Sequence, residues 1–313
     1  MAPSGGKDEK VLWLQAIPGL GVQPGKPLAR LSTLRIGGPA ELFVEVGSER
    51  ALVALLQEVA RRKQPFQLLG LGSNVLVPDA GLPGIVARLG GDLKRIRIRG
   101  RRLSAGAGAP LALAARRAAT AGLAGLEALS GFPSTVGGAV FMNAGCYGTE
   151  IKDVLRSARL VELDGRRHRI GVEDLGATYR STRLKQSRSI VTRALFDLAP
   201  GDPKALLDRI AELNARRWAS LPSGQANAGS IFKNPPGDSA GRLLDVAGLK
   251  ETSVGGALVS PKHANVIVNT GGATAADVVA LMRSMRDRAA ERFGVSLEPE
   301  IVLLGDLAER FRD

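Results

Sequence analysis

Three short strings hold residues whose types could do chemistry together. NAGSIFKNP, residues 227–235, places a lone hydroxyl, Ser230, after a glycine and shortly before Lys233. LEPEI, residues 297–301, places the carboxylate of Glu300 at the head of a closing apolar run. ATYRST, residues 177–182, places Arg180 directly after the ring of Tyr179. A hydroxyl, a guanidinium and a carboxylate supply a proton donor and two groups able to act on a substrate carboxylate. Taken singly, each residue has a plainer reading. Ser230 would be a turn or capping serine, Arg180 one half of a surface ion pair, and Glu300 an edge-strand charge.

Two glycine-rich stretches suit phosphate. In GLGSNVLV, residues 70–77, Gly70, Gly72, Ser73 and Asn74 form a turn whose backbone N–H groups could converge on an anion. It is neither a GxxxxGK[ST] loop nor a GxGxxG opening a helix, because Val75 and Leu76 continue as strand. A plain hairpin turn is the alternative. SGFPSTVGGAVFMNAGCYG, residues 130–148, brings Gly131, Pro133, Ser134, Thr135, Gly137, Gly138, Asn143 and Gly145 into one long uncharged stretch. Read as a loop with no regular element, its backbone donors need a partner, and a buried pyrophosphate would supply one. A tightly packed structural loop is the alternative here. Together the stretches suggest a dinucleotide held in a non-Rossmann manner.

These groups need elements to position them. The chain has 313 residues, 44% hydrophobic, enough for more than one core. Strands are expected over 40–46, 66–72, 85–89, 95–106, 157–163, 166–170 and 189–197, and helices over 48–62 and 111–121. A Gly201–Pro203 break precedes a helix over 204–218, then alternating helix and strand. A long helix over 275–292 carries Val278, Leu281, Met282, Met285 and Ala289 on one face, and 301–305 is a last buried strand. A domain boundary is placed near 200–212, and residues 2–8 read as a disordered lead-in.

Composition removes some functions. Aromatics are 4%, which argues against stacking on exposed bases. The basic run KRIRIRGRR, residues 94–102, alternates with period two, as a strand with one solvated face does, despite a net charge of +13. Neither a nucleic-acid partner nor membrane insertion is expected, since no run of 18 apolar residues occurs. The single cysteine, Cys146, cannot form an internal disulfide, which fits a cytoplasmic location. No metal site is expected.

Taken in order, TLRIGGPAELF (33–43), GLGSNVLV, SGFPSTVGGAVFMNAGCYG, ATYRST, NAGSIFKNP, AGRLLDVAGLK (240–250), VSPKHANVIVN (259–269) and LEPEI resemble the UDP-N-acetylenolpyruvoylglucosamine reductase (MurB) family over about residues 31–305. Ser134 stands where that family usually has glycine, Cys146 where it has alanine, and Ser32 where it has asparagine. The resemblance implies an α+β protein. After a lead-in over 1–30, residues 31–205 would form an FAD-binding domain of the p-cresol-methylhydroxylase/vanillyl-alcohol-oxidase type, in two subdomains split near residue 90. Residues 206–297 would form a smaller substrate-binding domain, and 298–313 a final strand and tail returning to the flavin domain.

It also implies NADPH-dependent reduction, through non-covalent FAD, of a UDP-sugar enolpyruvyl ether to UDP-N-acetylmuramate in peptidoglycan synthesis. Hydride would go to the terminal CH2, Arg180 would stabilise the enolate-like charge growing on the carboxylate, and Ser230 would protonate the α-carbon. Glu300 would orient Arg180 or donate a hydrogen bond while protonated. The residues of the two glycine stretches, from Gly70 to Leu76 and from Gly131 to Gly145, would hold FAD. Tyr179, Lys233, Asn234, Lys262, His263 and Asn265 would bind substrate. Lys233 is one candidate to assist Ser230. The interval from Arg180 to Ser230 has no tyrosine, which implies the branch without a tyrosine-bearing lid. The alternatives are another flavin oxidoreductase on the same fold and a basic nucleic-acid binder. A monomer is the default, since nothing in the sequence sets the oligomeric state.

Overall fold

The computed structural model describes residues 5–187 and 189–312. The chain divides into two compact units. The first takes residues up to Pro24, Leu42–Gly70 and Gly84–Ala215; the second takes Gly25–Glu41, Leu71–Pro83 and Arg216–Asp313. Each closes around its own apolar core, one running from Leu14 to Leu198 and the other from Leu34 to Phe311.

The two larger sheets of the first unit stand beside two-stranded pairs. One has the strand order Leu20–Pro24, Ala40–Val46, Leu82–Leu89, Phe66–Leu68. Beside it in sequence, the helix Glu49–Arg61 starts at Ser48, whose hydroxyl accepts the Ala51 N–H at 3.1 Å, and buries Leu52, Leu55, Leu56 and Val59. The other sheet is five-stranded, in the order Arg167–Gly171, Leu155–Val161, Ile190–Asp197, Arg102–Gly106, Ile96–Arg99. Its central strand alternates as period two requires: Thr192, Ala194 and Phe196 are buried, while Arg193, Leu195 and Asp197 face outward. The helices Leu111–Thr120 and Val136–Met142 cover the buried face.

The outward face is rich in arginine. Arg159 stands opposite both Arg169 and Arg193, and Arg97 opposite Ser104. Burial, together with Arg159 and Arg97, pulls the Arg193 guanidinium below its ordinary value. Glu49 answers this charge: it lies 3.7 Å from Arg159 and 3.6 Å from Arg167, and accepts the Thr192 hydroxyl at 2.8 Å. The basic 94–102 run is the solvated strand that its alternation implies, with Arg97 and Arg99 exposed and Ile96 and Ile98 packed on the core.

In the second unit an antiparallel sheet runs Ala226–Ser230, Val266–Asn269, Ala257–Val259, Ser253–Val254. The helix Ala275–Phe293 begins in a capping box between Thr274 and Asp277. All five residues expected on its apolar face are buried. Val302–Leu303 pairs in parallel with Val75–Leu76.

Some expectations are corrected. Helix begins at Gly5 and runs to Gln15, so the lead-in expected to be disordered is helical from Gly5; residues 2–4 lie outside the described residues. The 130–149 stretch, expected to lack regular structure, contains the helix Val136–Met142 and a hairpin of Gly145–Cys146 with Thr149–Glu150. Small residues there allow close packing, and periodicity cannot register so short an element. The 66–72 strand ends at Leu68, and the segment from Leu71 to Pro83 clusters with C-terminal residues.

Glu49→Gln keeps the acceptor for Thr192 and removes the charge. It should lower stability by about 1–3 kcal/mol at low salt, and the loss should shrink near 1 M salt, where screening acts within about 3 Å. Urea midpoints at the two ionic strengths check this. An equal loss at both would show that the Glu49 charge does not serve the arginine face.

Candidate active site

Ser230 ends the strand Ala226–Ser230, and its position comes from a local irregularity. The pairing with Val266–Asn269 slips between Asn227 and Ser230. Asn227 makes the slip: its side-chain oxygen accepts the Gly229 N–H at 3.0 Å, and its amide donates to Gln225 O at 2.9 Å. Gly229 sits at φ 73° with open space where a Cβ would be, so glycine is needed for the left-handed turn and not for room. Such a bulge re-aims the next side chain. Outside the motif, the Thr33 hydroxyl donates to Asn227 O at 2.7 Å and anchors its start.

Glu300 is tied to the same strand through its backbone. Its N–H donates to Ile231 O at 2.7 Å, the adjacent Lys233 N–H donates to Glu298 O at 2.8 Å, and Phe232 bridges Pro299. The Asn74 amide donates to Glu300 O at 3.1 Å, and Asn74 O accepts the Val302 N–H at 3.0 Å. NAGSIFKNP and LEPEI are therefore joined backbone to backbone, and Asn74 joins them through its side-chain amide and, at Val302, its carbonyl.

Asn265 and His263 support this junction. Asn265, buried at 2% exposure, accepts the Phe232 N–H at 2.9 Å and donates to Phe232 O at 2.8 Å. It takes the part of a strand neighbour where the ladder stops. Its own N–H donates to His263 Nδ1 at 3.2 Å, and a Cβ on Gly241 would meet the His263 ring at 2.9 Å. Burial, then the nearby Lys250 cation, holds the His263 pKa below its usual value. Lys233, expected beside Ser230 as an assisting cation, puts its ammonium 2.8 Å from Glu298. Asn234 accepts the Ala240 N–H at 3.1 Å where the helix Ala240–Val246 begins. Lys262 N–H donates to the Ser260 hydroxyl at 3.2 Å.

Arg180 stands on the first unit. Thr178 and Ser181 exchange backbone bonds of 2.9 and 3.1 Å around the two-residue tip Tyr179–Arg180. Arg180 takes φ 56° and lays its guanidinium 4.9 Å from the centre of the Tyr179 ring. A non-glycine residue there costs roughly 1–2 kcal/mol, and such strain gathers at functional turns. Lys185 Nζ, a contact no motif signals, donates to Arg180 O at 2.7 Å.

The glycine stretches meet: a Cβ on Gly70 would lie 3.0 Å from Thr135 Oγ1, and one on Gly138 would lie 3.2 Å from it. Thr135 therefore places a hydroxyl against side-chain-free backbone, which suits the phosphates of a dinucleotide, while the Ser134 hydroxyl donates to Thr135 O at 2.9 Å. The backbone supplies less than its glycine content implies. Val136 N–H goes to Ala109 O, Gly137 N–H to Ala107 O and Gly138 N–H to Thr135 Oγ1. Gly72 turns at φ 65°, and a Cβ there would collide with the Leu31 carbonyl. Beside that turn the Ser32 hydroxyl is buried with no hydrogen-bond partner.

Residues 40–171 match the model of the FAD binding domain, and residues 221–304 match that of the UDP-N-acetylenolpyruvoylglucosamine reductase C-terminal domain. The reductase numbered 2 of Symbiobacterium thermophilum is 43% identical, with 91% of this chain and 92% of that one aligned. The enzyme of Rubrobacter xylanophilus is 44% identical over 90% and 94%. This chain belongs to the UDP-N-acetylenolpyruvoylglucosamine reductase family. The crystal structure of the reductase from Thermus caldophilus superposes on it with a TM-score of 0.78 at 39% identity, covering 91% of this chain and 99% of that one. The α+β class expected from the sequence holds, and the membership brings an FAD-binding domain with it.

A depressed His263 pKa means that the unfolded chain binds more protons as pH falls through about 6.5. The stability contribution is complete above that value and is lost below it. Melting temperature should drop on acidification, and His263→Gln should flatten that part of the profile. An unchanged slope in the variant would assign the dependence elsewhere.

Proposed function

We propose that the chain reduces UDP-N-acetylglucosamine enolpyruvate to UDP-N-acetylmuramate with NADPH through non-covalently bound FAD, in the cytoplasm, as a step of peptidoglycan synthesis. One observation carries the reading: the string that holds Ser230 and the string that holds Glu300 are hydrogen-bonded to each other, through the Glu300 N–H and the Ile231 carbonyl, in a chain 43% identical to a named reductase. Bound flavin would supply hydride chemistry. Gly70, Thr135 and Gly138 fit its phosphates best, with Ser134 and the remaining residues of the two stretches packing around them. The functional division follows the same reading: residues 31–205 serve chiefly the flavin, and 206–297 chiefly the substrate.

The residues' own roles follow from charge. Hydride arriving at the CH2 of an enolpyruvyl ether pushes electron density into the conjugated carboxylate. Arg180, planar and permanently charged, can hold both carboxylate oxygens as that charge grows. Ser230 then delivers a proton to one face of the α-carbon, its direction set by the Gly229 bulge. Glu300 is held through its backbone and its side chain acts on the same carboxylate, directly or through Arg180. Lys233 works through its pair with Glu298, and Asn265 and His263 brace the Ser230 strand. Tyr179, Asn234 and Lys262 remain the candidates for substrate contact.

The lidless reading belongs to the proposal. Residues between Arg180 and Ser230 are spent on the short helix Leu184–Ser187, the strand Ile190–Asp197 and the helix Pro203–Ser220. Phe196 is fully buried and unable to close over a ligand.

Purified protein should be yellow, with bands at roughly 370 and 450 nm, should bleach with NADPH, and should recover colour on adding the enolpyruvyl substrate while the product gains two hydrogens by mass spectrometry. A protein that bleaches but regains colour only with oxygen would point instead to an oxidase on the same fold.

A further inference from the structure

Asn143 lies within a glycine stretch that suits phosphate, which makes it a natural dinucleotide ligand by sequence. Its surroundings assign it different work. The residue is fully buried and ends the helix Val136–Met142 in the left-handed conformation, at φ 43° and ψ 53°. Asparagine is one of the few side chains that tolerate that conformation. Its amide nitrogen donates to Glu150 Oε2 at 2.9 Å and to Thr178 O at 3.0 Å, and its amide oxygen accepts the Lys152 N–H at 3.1 Å. Both donor hydrogens are committed inside the protein, so none is left for a phosphate oxygen.

The Thr178 bond is the consequential one. Thr178 opens the two-residue turn whose second residue is Arg180, and its carbonyl also accepts the Ser181 N–H that closes the turn. Nearby, the Thr182 hydroxyl donates to Phe141 O at 2.8 Å, a second tie between the same two segments. At the tip, Lys185 holds Arg180 O. On its other side Asn143 leans on Glu150, which Lys152 fixes at 3.0 Å. A strained turn persists only when its neighbours over-determine it, and these bonds do so.

We propose that Asn143 is a positioning residue for the reduction step: it holds Arg180 in its left-handed turn through the Thr178 carbonyl and is not a ligand of the dinucleotide. The proposal rests on the reading that Arg180 acts on the substrate carboxylate.

Asn143→Gly tests it, because glycine accepts the left-handed backbone and deletes only the amide. The variant should fold, retain flavin at wild-type stoichiometry and be reduced by NADPH within about twofold of the normal rate. Its reoxidation by the enolpyruvyl substrate should slow by roughly tenfold or more, in kcat with little change in KM, since misplacement of about 1 Å in a catalytic group costs up to roughly 100-fold. Lys185→Met, at an exposed position, should act in the same direction more weakly. In a cycle with Arg180→Lys, which keeps the charge but loses the planar fork, the combined loss should be much smaller than the product of the single losses. Loss of flavin from Asn143→Gly would make Asn143 a cofactor ligand and overturn the proposal. So would normal reoxidation, or losses that multiply. If Arg180→Lys alone left reoxidation unchanged, the assignment of Arg180 would fall and take the proposal with it, whatever Asn143→Gly did.

Discussion

The second unit depends on a short stretch of irregular pairing, in which the Glu300 N–H meets the Ile231 carbonyl and the Glu300 carbonyl meets the Asn74 amide. No regular ladder continues through this point. The strand carrying Ser230 stops, Asn265 substitutes a side-chain amide for the missing neighbour, and a two-residue parallel pair takes over at Val302–Leu303. A buried amide bonded at both ends is costly to disturb, since each abandoned backbone group costs roughly 1–3 kcal/mol. That cost fixes where the hydroxyl and the carboxylate begin, which a free loop could not do.

The first unit meets the same need differently. Arg180 sits on a two-residue tip in a conformation that resists its side chain; a buried asparagine secures the Thr178 carbonyl that opens the turn, and a lysine secures the carbonyl of Arg180 itself. Both devices spend polar side chains on backbone. Asn143, Asn265, His263 and Asn74, which a motif marks as binding groups, each make bonds that hold the chain in place.

This explains what was legible in the sequence. The helix Ala275–Phe293 was readable from its apolar spacing, which the buried face matches. The order of the motifs placed the chain in its family. The helix Val136–Met142 was hidden by glycines that read as loop, and the backbone donors expected to be free are bonded to Ala107 and Ala109, residues far away in sequence. Thr33 and Glu298 lie in motif strings that give no hint of their partners, and Lys185 lies in none, because their roles come from contacts that only the fold creates. A motif string marks which segment matters, while the division of labour inside it depends on what lies opposite.

The central claim, that the Ser230 hydroxyl completes a flavin-dependent reduction, is tested most directly by separating the two half-reactions of Ser230→Ala in a stopped-flow spectrometer without oxygen. NADPH should bleach the variant at close to the normal rate, because no protonation of the sugar substrate is involved. Return of colour on adding the enolpyruvyl ether should fall by several orders of magnitude, since the proton has lost its donor. Equal slowing of both half-reactions would mark Ser230 as a structural residue and contradict the account.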